Sequence, residues 1–483
     1  MAKECTLEIK DEVNVKFHGL DVLTRRKLAD KVKFLLPYAR HTPAFRLGRW
    51  DGMMRYCDIG GRTYLNLLDR LLPIIVEQGY EIKIEDTRQV HDFKFEQVDK
   101  DSYAHIIWPE GHRHAGEPVE FRDYQVEAIN KYLEYPQSLQ EISTGAGKTI
   151  ITAVLSHKAE AYGRTIVIVP SKDLVTQTEE DYINFGLDVG VFFGDRKEYN
   201  KTHTICTWQS LDALDRKSKK YDADIPLDEF VDNVNCIIVD EAHGSKADVL
   251  KKLLSTTFAH CPLRWGMTGT IPEEEFNAIG LIVSIGPVVN KVRAKTLQDE
   301  GVLSNLHIHI NQYVDPPFGF KDFATELKWL TTDRKRLKVI AKLIDEVEGN
   351  SLILVSRIET GQILEEMLPD AVFINGAVKS KDRKAEYKDV NTAENKTIIA
   401  TFGVAAVGIN IPRIFNLFMF EPGKSFVRVI QSIGRGIRTA KDKDFVDVYD
   451  LCSNSKYSKR HLTARKRYYR SAEYPHKVNK IKY

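Results

Sequence analysis

Ile142-Ser-Thr-Gly-Ala-Gly-Lys-Thr-Ile150 carries the strongest local signal in this 483-residue chain. Gly145 and Gly147 let successive backbone N–H groups curl around phosphate oxygens, and Lys148 adds a point charge at the β- and γ-phosphates. Thr144 and Ala146 complete the cradle, and the Thr149 hydroxyl is spaced to ligate Mg²⁺. The strict phosphate-loop pattern has glycine six residues before the lysine, where this chain has Ile142. Alone, the segment also fits a simple Gly-rich turn, so a second element is required.

Cys236-Ile-Ile-Val-Asp-Glu-Ala-His243 supplies it. An apolar strand ending in two carboxylates puts Asp240 and Glu241 at the C-terminal edge of a sheet, where parallel α/β folds bind ligands. Asp240 can hold a metal, directly or through water, and Glu241 can orient and deprotonate an attacking water. The alternative, exposed strand-end acids beside a chance histidine, does not account for the pairing with the Gly-Lys-Thr loop. Together the two elements imply nucleoside-triphosphate hydrolysis.

Around them, short apolar strands alternate with longer helical segments. The strands are Thr165–Val169, His203–Cys206, Cys236–Val239, Leu352–Val355, Val372–Ile374, Thr397–Ala400 and Leu417–Phe420. Strands apolar on nearly every residue belong in parallel sheets covered on both faces. Pro287 to Gly301 and the Pro316-Pro317 loop divide the region into two halves, so two tandem α/β domains with a cleft between them are expected. Before them, Val13–Phe17 alternates like an edge strand and Leu23–Leu36 has helical spacing ended by Pro37. Tyr64–Tyr80 is expected to be helical with a break at Pro73, and Glu81–Glu85 to be a strand. The Pro/Gly/His-rich stretch Trp108–Pro118 is the first linker. The expected division is 1–115, a small basic α+β domain; 116–288 and 289–450, the two α/β domains; and 451–483, a basic tyrosine-rich tail.

Charge follows this division. The chain carries a net +2, but Lys16–Arg70 holds +7 and Lys456–Tyr483 holds +9, leaving −14 for the remainder. Two basic ends flanking an acidic middle are an electrostatic footprint for a polyanion. In the tail, Tyr457, Tyr468, Tyr469, Tyr474 and Tyr483 are interleaved with cations, a composition suited to stacking on unpaired bases while Lys and Arg hold phosphates. A solvated tail has the same composition. No apolar run reaches the roughly 18 residues needed to span a bilayer, and the first residues lack a signal-peptide core. A cytoplasmic protein is therefore expected. Six scattered cysteines without a Cys-x-x-Cys point to free thiols and to neither a zinc site nor a disulfide framework.

The second half narrows the chemistry. In Gln431-Ser-Ile-Gly-Arg-Gly-Ile-Arg438, Arg435 and Arg438 share one helix face at i, i+3 spacing, as needed to reach γ-phosphate charge across a cleft. An arginine finger on a second domain makes hydrolysis depend on closure and so converts nucleotide state into domain movement. Arg122-Asp-Tyr-Gln125, Gly145–Thr149, Val169–Lys172, Thr207-Trp-Gln209, Asp240–His243, Thr268-Gly-Thr270, Thr401–Asn410 and Gln431–Arg438 resemble, in order, the motifs of the superfamily 2 helicases. The resemblance spans residues 121–438. It implies two RecA-like domains, ATP and Mg²⁺ as cofactors, and hydrolysis coupled to movement along nucleic acid. It also assigns roles. Gln125 would read adenine with Arg122 nearby, Gly408 would lie near the nucleotide, and Gln431 would join the catalytic set facing His243. Thr268 and Thr270 would relay nucleotide state to a track over Ser171, Lys172, Thr207, Gln209, Arg357 and Thr401, made mostly through phosphates. Asn410 stands where many relatives have Asp.

Phe45-Arg-Leu-Gly-Arg-Trp-Asp-Gly52, with Leu71-Leu-Pro-Ile74, Gly79-Tyr80 and Tyr449-Asp-Leu451, resembles the UvsW-like recombination helicases of tailed phages, which work on branched DNA as RecG-type enzymes do. This implies fork unwinding and movement of Holliday-type junctions by a monomer, without membrane association, in a host cytoplasm, alongside replication or recombination proteins. Arg40, Arg46, Arg49 and Arg55 surround Trp50 in an expected hairpin. Arg46 and Arg49 are expected DNA contacts, and Trp50 either packs as the hairpin's core, the favoured reading, or wedges at a junction. Three other functions use the same residues: a double-stranded DNA translocase without strand separation, an RNA helicase, and a non-catalytic DNA-binding scaffold. Intact Lys148, Glu241, Arg435 and Arg438 argue against the last.

Overall fold

A computed structural model describes residues 3–110, 115–223, 225–242, 247–272, 275–378, 389–390, 392–408, 411, 413–424, 434 and 442–483. The chain separates into two compact units, Met1–Glu141 with Lys148–Lys291, and Ile142–Gly147 with Val292–Tyr483.

The first unit begins with β1 (Lys3–Ile9), β2 (Asn14–His18) and helix α1 (Val22–Lys31). A small antiparallel pair follows, β3 (Lys33–Leu35) with β4 (Met53–Arg55), enclosing a short helix α2 (Pro43–Arg46). Then come β5 (Arg62–Tyr64), α3 (Leu68–Glu77) and β6 (Tyr80–Asp86), giving a four-stranded sheet in the order β5-β2-β1-β6. The expected helix over Leu23–Leu36 therefore stops at Lys31, because Lys33–Leu35 finds a strand partner about twenty residues on. Nor does Pro73 break the next helix. It removes one hydrogen bond, while buried Leu71 and Ile75 on either side hold α3 to the sheet.

This sheet is not a free-standing body. Its core, with Leu7, Phe17, Leu28 and Leu71, takes in Ile279 and Val283 from the helix Glu275–Ser284. Backbone hydrogen bonds (Glu12 N to Ala259 O, 3.0 Å) and side-chain ones (Tyr56 O–H to Phe276 O, 3.1 Å) tie it down further.

The larger sheet of this unit is built from β7 (Gln137–Ile142), β8 (Arg164–Val169), β9 (Val189–Phe193), β10 (Arg196–Lys197), β11 (His203–Thr207), β12 (Val234–Val239), β13 (Leu263–Thr268) and β14 (Val288–Val292). Their order is β10-β9-β11-β8-β12-β13-β7-β14. The strands from β9 to β7 pair in parallel; β8 and β12 are buried almost throughout, as their apolar sequences require, and β13 is buried too, its Arg264 guanidinium donating to the carbonyls of Leu254, Phe258 and Ser284. Helix α4 (Asp123–Glu134) precedes β7, and α5 (Lys148–Ala159), α6 (Lys172–Asn184) and α7 (Trp208–Ser218) run between the strands. The first sheet thus extends through β14, past the boundary expected at residue 288.

The second unit holds a seven-stranded, all-parallel sheet. Its strands are β15 (Asn305–Tyr313), β16 (Ser351–Val355), β17 (Ala371–Ile374), β18 (Thr397–Thr401), β19 (Asn416–Phe420), β20 (Phe445–Ser453) and β21 (His476–Ile481). They lie in the order β17-β18-β16-β19-β20-β15-β21.

The tail expected from residue 451 is a correction: it is an integral part of this unit. A C-terminal helix, Lys456–Ser471, packs on β20, and β21 pairs in parallel with β15 as the last strand of the sheet. Tyr468, Tyr469 and Tyr474 are buried core residues, which removes them as base-stacking groups. The helix starts where the carboxylate of buried Glu326 accepts the N–H groups of Tyr457 and Ser458. Its inner face carries Arg465, fully buried against Asp450 through two 2.8 Å bonds. Tyr469 O–H donates to the same carboxylate at 2.8 Å. Arg465 also donates to Gly423 O at 2.6 Å, and Tyr468 O–H to Lys424 O at 3.0 Å. All six cysteines are free and buried. Among the described residues no helix is long and apolar enough to cross a membrane.

Candidate nucleotide site and nucleic-acid groove

β7, β13 and β12 end side by side, and the residues following them supply the candidate nucleotide site. After β7 the chain turns through Gly145 and Gly147, both in the left-handed region (φ 88° and 77°). It enters α5 at Lys148, so the loop opens directly onto a helix N-terminus, with Thr149 in its first turn. The Lys148 ammonium donates to Glu241 Oε1 at 2.6 Å, and only 9% and 14% of the two side chains is exposed. Residues 93 apart in sequence thus meet in one largely dry ion pair.

Glu241 has φ 49°, a left-handed conformation that costs a non-glycine residue about 1–3 kcal/mol. Its neighbours over-determine it. Asp240 N donates to Ile168 O at 2.9 Å, Asp240 Oδ1 accepts from Glu241 N at 2.8 Å, and Ala242 N donates to Met267 O at 3.0 Å. The strained turn aims the carboxylate back toward Lys148.

Thr268 and Thr270 form the next layer. The Thr268 hydroxyl donates to Thr270 O at 2.8 Å and accepts from Thr270 N at 3.3 Å, closing a tight buried turn. Gly269 N, inside that turn, donates to Glu241 Oε2 at 3.4 Å. The Thr270 hydroxyl is buried with no hydrogen-bond partner among the described residues. Glu241 is thus hydrogen-bonded to the backbone of this turn. The oxygen donors of Thr149 and Asp240 are hard ligands of the kind Mg²⁺ prefers.

Arg122 and Gln125 open α4. Gln125 is buried, and its Oε1 accepts from Arg122 N at 3.0 Å in a capping box, so its side chain has a structural task as well. Gly408 ends the helix Phe402–Gly408. His243, Asn410, Gln431, Arg435 and Arg438 lie outside the described residues. Gly434, between the expected fingers and Gln431, is helical and buried, and a Cβ on it would come within 3.0 Å of Thr144 Cβ.

The expected track residues of the first unit converge. Ser171 caps α6 (its hydroxyl accepts Leu174 N, 3.3 Å), Lys172 is the first residue of that helix, Thr207 caps α7, and Gln209 is in its first turn. All four line an open groove of about 370 Å³. Lys197 and Lys217 line it too and stand outside the expected track. Lys217 was detectable, because Ser210, Ala213, Leu214 and Lys217 repeat at i, i+3, i+4, i+7 along α7 and all reach the groove. In the second unit, Arg357 caps the helix Ile358–Met367, with its Nε buried and unpartnered among the described residues. Thr401 ends β18, its hydroxyl accepting Val404 N at 3.4 Å.

In the N-terminal module, Arg40, Arg46 and Arg49 are exposed. Arg55 is committed to Asp51. Trp50 is half-buried and does not form the module's core, contrary to the favoured expectation. The tight contact is made instead by Gly52 (φ 75°), where a Cβ would strike Ala39 Cβ at 2.7 Å and the Phe45 ring at 2.9 Å. That close approach needs a glycine.

Two families match. One described as "Type III restriction enzyme, res subunit" matches residues 118–273, and the helicase conserved C-terminal domain matches 335–440. The ATP-dependent DNA helicase uvsW of Enterobacteria phage T4 is 22% identical over 488 residues, covering 95% of this chain and 94% of that protein. A putative DNA 3'-5' helicase of Haloarcula marismortui is 24% identical over 343 residues, 68% of this chain and 52% of that one. Among solved structures, a fragment of a putative HsdR subunit of a type I restriction enzyme from Vibrio vulnificus aligns with 97% of this chain and 85% of its own at 18% identity and TM-score 0.56. The crystal structure of T4 UvsW aligns over 99% of both chains at 19% identity and TM-score 0.47.

Proposed function

We propose that this chain, which belongs to the ATP-dependent helicases of superfamily 2, spends its ATP on branched DNA, unwinding forks and moving four-way junctions. What supports the branched substrate is the span of the likeness to the phage helicase, which takes in the N-terminal module as well as both motor sheets. The exposed Arg46 and Arg49 of that module are suited to duplex phosphates near the motor, and half-buried Trp50 leaves part of its ring free to meet a junction.

In the proposed cycle the backbone N–H groups of residues 144–147 and the Lys148 ammonium take the phosphates. Lys148 thereby exchanges Glu241 for the γ-phosphate, and the released carboxylate orients and deprotonates the attacking water. Thr149 and Asp240 would hold Mg²⁺, which neutralises phosphate charge when bound. Arg435 and Arg438 complete the charge stabilisation. Release of Glu241 from Gly269 N frees the Thr268–Thr270 turn, the step that carries nucleotide state to the groove of Ser171, Lys172, Thr207 and Gln209.

The test is ATP-dependent unwinding measured in parallel on a four-way junction, a fork, a linear duplex and an RNA duplex. Junction and fork should be processed fastest. A preference for the linear duplex would sink the junction reading and favour a translocase. Lys172→Ala should weaken DNA binding equally across sequences and lower the salt slope by about 1, as loss of one phosphate contact does; a sequence-dependent loss would argue against a backbone-reading groove.

A further inference from the structure

The C-terminal helix Lys456–Ser471 holds seven cations and no acid. Arg465 is the one turned inward, and it alone has a carboxylate partner among the described residues. Lys456, Lys459, Arg460, Lys466, Arg467 and Arg470 make no ion pair among the described residues, and all but half-buried Lys466 are exposed. At 100° per residue these six fall within an arc of about 120°, opposite Arg465, along roughly 21 Å of helix.

A solvated helix surface does not need such a stripe. Exposed helices are normally laced with opposite charges at i, i+4, whereas here Lys456/Arg460 and Lys466/Arg470 are like pairs at i, i+4, and Lys456/Lys459 and Arg467/Arg470 at i, i+3. Each repels, and an anionic partner would relieve all of them together. The lysines of neighbouring β21 have a local explanation, since cations protect an edge strand from pairing with another chain. The helix stripe has none.

We propose that this outer face is a docking surface for the sugar-phosphate backbone of duplex DNA, additional to the groove on the first unit. The inference rests on the helicase reading above. Duplex rather than single strand follows from where the aromatics went: Tyr468 and Tyr469 are buried, and half-buried Tyr457 is edge-on to Phe323 with the Lys456 ammonium over its ring, so the stripe offers phosphate-binding groups at every helical turn and few faces on which unpaired bases could stack.

The triple variant Lys459→Ala, Arg460→Ala, Arg467→Ala tests it in the full chain, with Lys172→Ala as reference. Equilibrium binding to a linear duplex and to an oligothymidylate single strand is measured across a salt series. Loss of up to three phosphate contacts should lower the duplex salt slope by roughly 2–3 and weaken binding about tenfold or more. Single-strand binding and DNA-free ATP hydrolysis should change less than about twofold. The thermal midpoint should not fall, because repulsion is relieved; if it does, the glutamine versions of the same substitutions are read in the same way. An unchanged duplex slope beside a lowered one for Lys172→Ala overturns the surface and leaves the proposed function standing. Equal losses on both DNAs overturn the duplex assignment. A wild-type chain that binds no DNA overturns both readings.

Discussion

Lys148→Ala and Glu241→Gln each reduce steady-state ATP hydrolysis by at least about 10²–10³-fold, the loss expected when one preorganised charge or one general base is removed from a dry site. The 2.6 Å pair between them makes the two defects distinguishable. Without Lys148, the phosphates lose their ammonium and Glu241 loses its counter-ion in a pocket where 14% of its side chain is exposed, so nucleotide binding weakens together with turnover. In Glu241→Gln the lysine is still there for the phosphates, so that variant should bind ATP near-normally and fail at the chemical step. Phosphate release and nucleotide binding, measured separately, check both halves, and DNA affinity should stay within about twofold of wild type. Near wild-type hydrolysis in either variant would remove the nucleotide site from this pair.

Arg465→Ala is the largest expected stability effect. Removing a guanidinium that is fully buried leaves Asp450, equally buried, with Tyr469 O–H as its remaining side-chain donor among the described residues. Breaking one half of such a pair costs about 3–5 kcal/mol. Chemical denaturation should show it directly. Replacing Arg465 and Asp450 together by apolar residues of similar volume should recover most of the loss, since the uncompensated charge is then gone. The same arginine, with Tyr468, grips the carbonyls of Gly423 and Lys424, immediately before the segment bearing Arg435 and Arg438. The milder Tyr468→Phe should therefore lower kcat several-fold at unchanged KM for ATP. A proportional change in both constants, or no change, would leave Tyr468 as packing only.

What the sequence made legible was whatever depends on near neighbours. The apolar strands β8, β12, β16 and β19 appear where runs rich in Val, Ile, Leu and Phe demanded two-sided burial. The Gly-Lys-Thr loop and the Asp-Glu strand end are local patterns too, and their meeting follows from the order β12-β13-β7. Illegible were pairings between distant segments. Lys33–Leu35 looks helical until Met53–Arg55 lies beside it. β14 looks like linker until β7 is its neighbour. The C-terminal helix was obscured by composition: a count of +9 does not tell which cation faces inward. The spacing Ser458, Leu462, Arg465, Tyr469 was an interior stripe hidden by one arginine, and all four are buried. Trp50 misled by size, because the small residues Ala39 and Gly52 allow Phe45 to do the packing.

The placement of β21 has a practical corollary for anyone shortening this polypeptide. Strands β15 and β21 share six register positions, Ile308 with His476 through Tyr313 with Ile481, and Tyr483 O–H reaches Asp315 at 2.5 Å. A version terminated after residue 450 would uncover that flank of β15 as a row of unanswered amides and carbonyls, a template on which copies could zip together. Such a truncation should precipitate or self-associate in proportion to concentration, and affinity handles are better appended beyond Tyr483 than gained by trimming back to the motor.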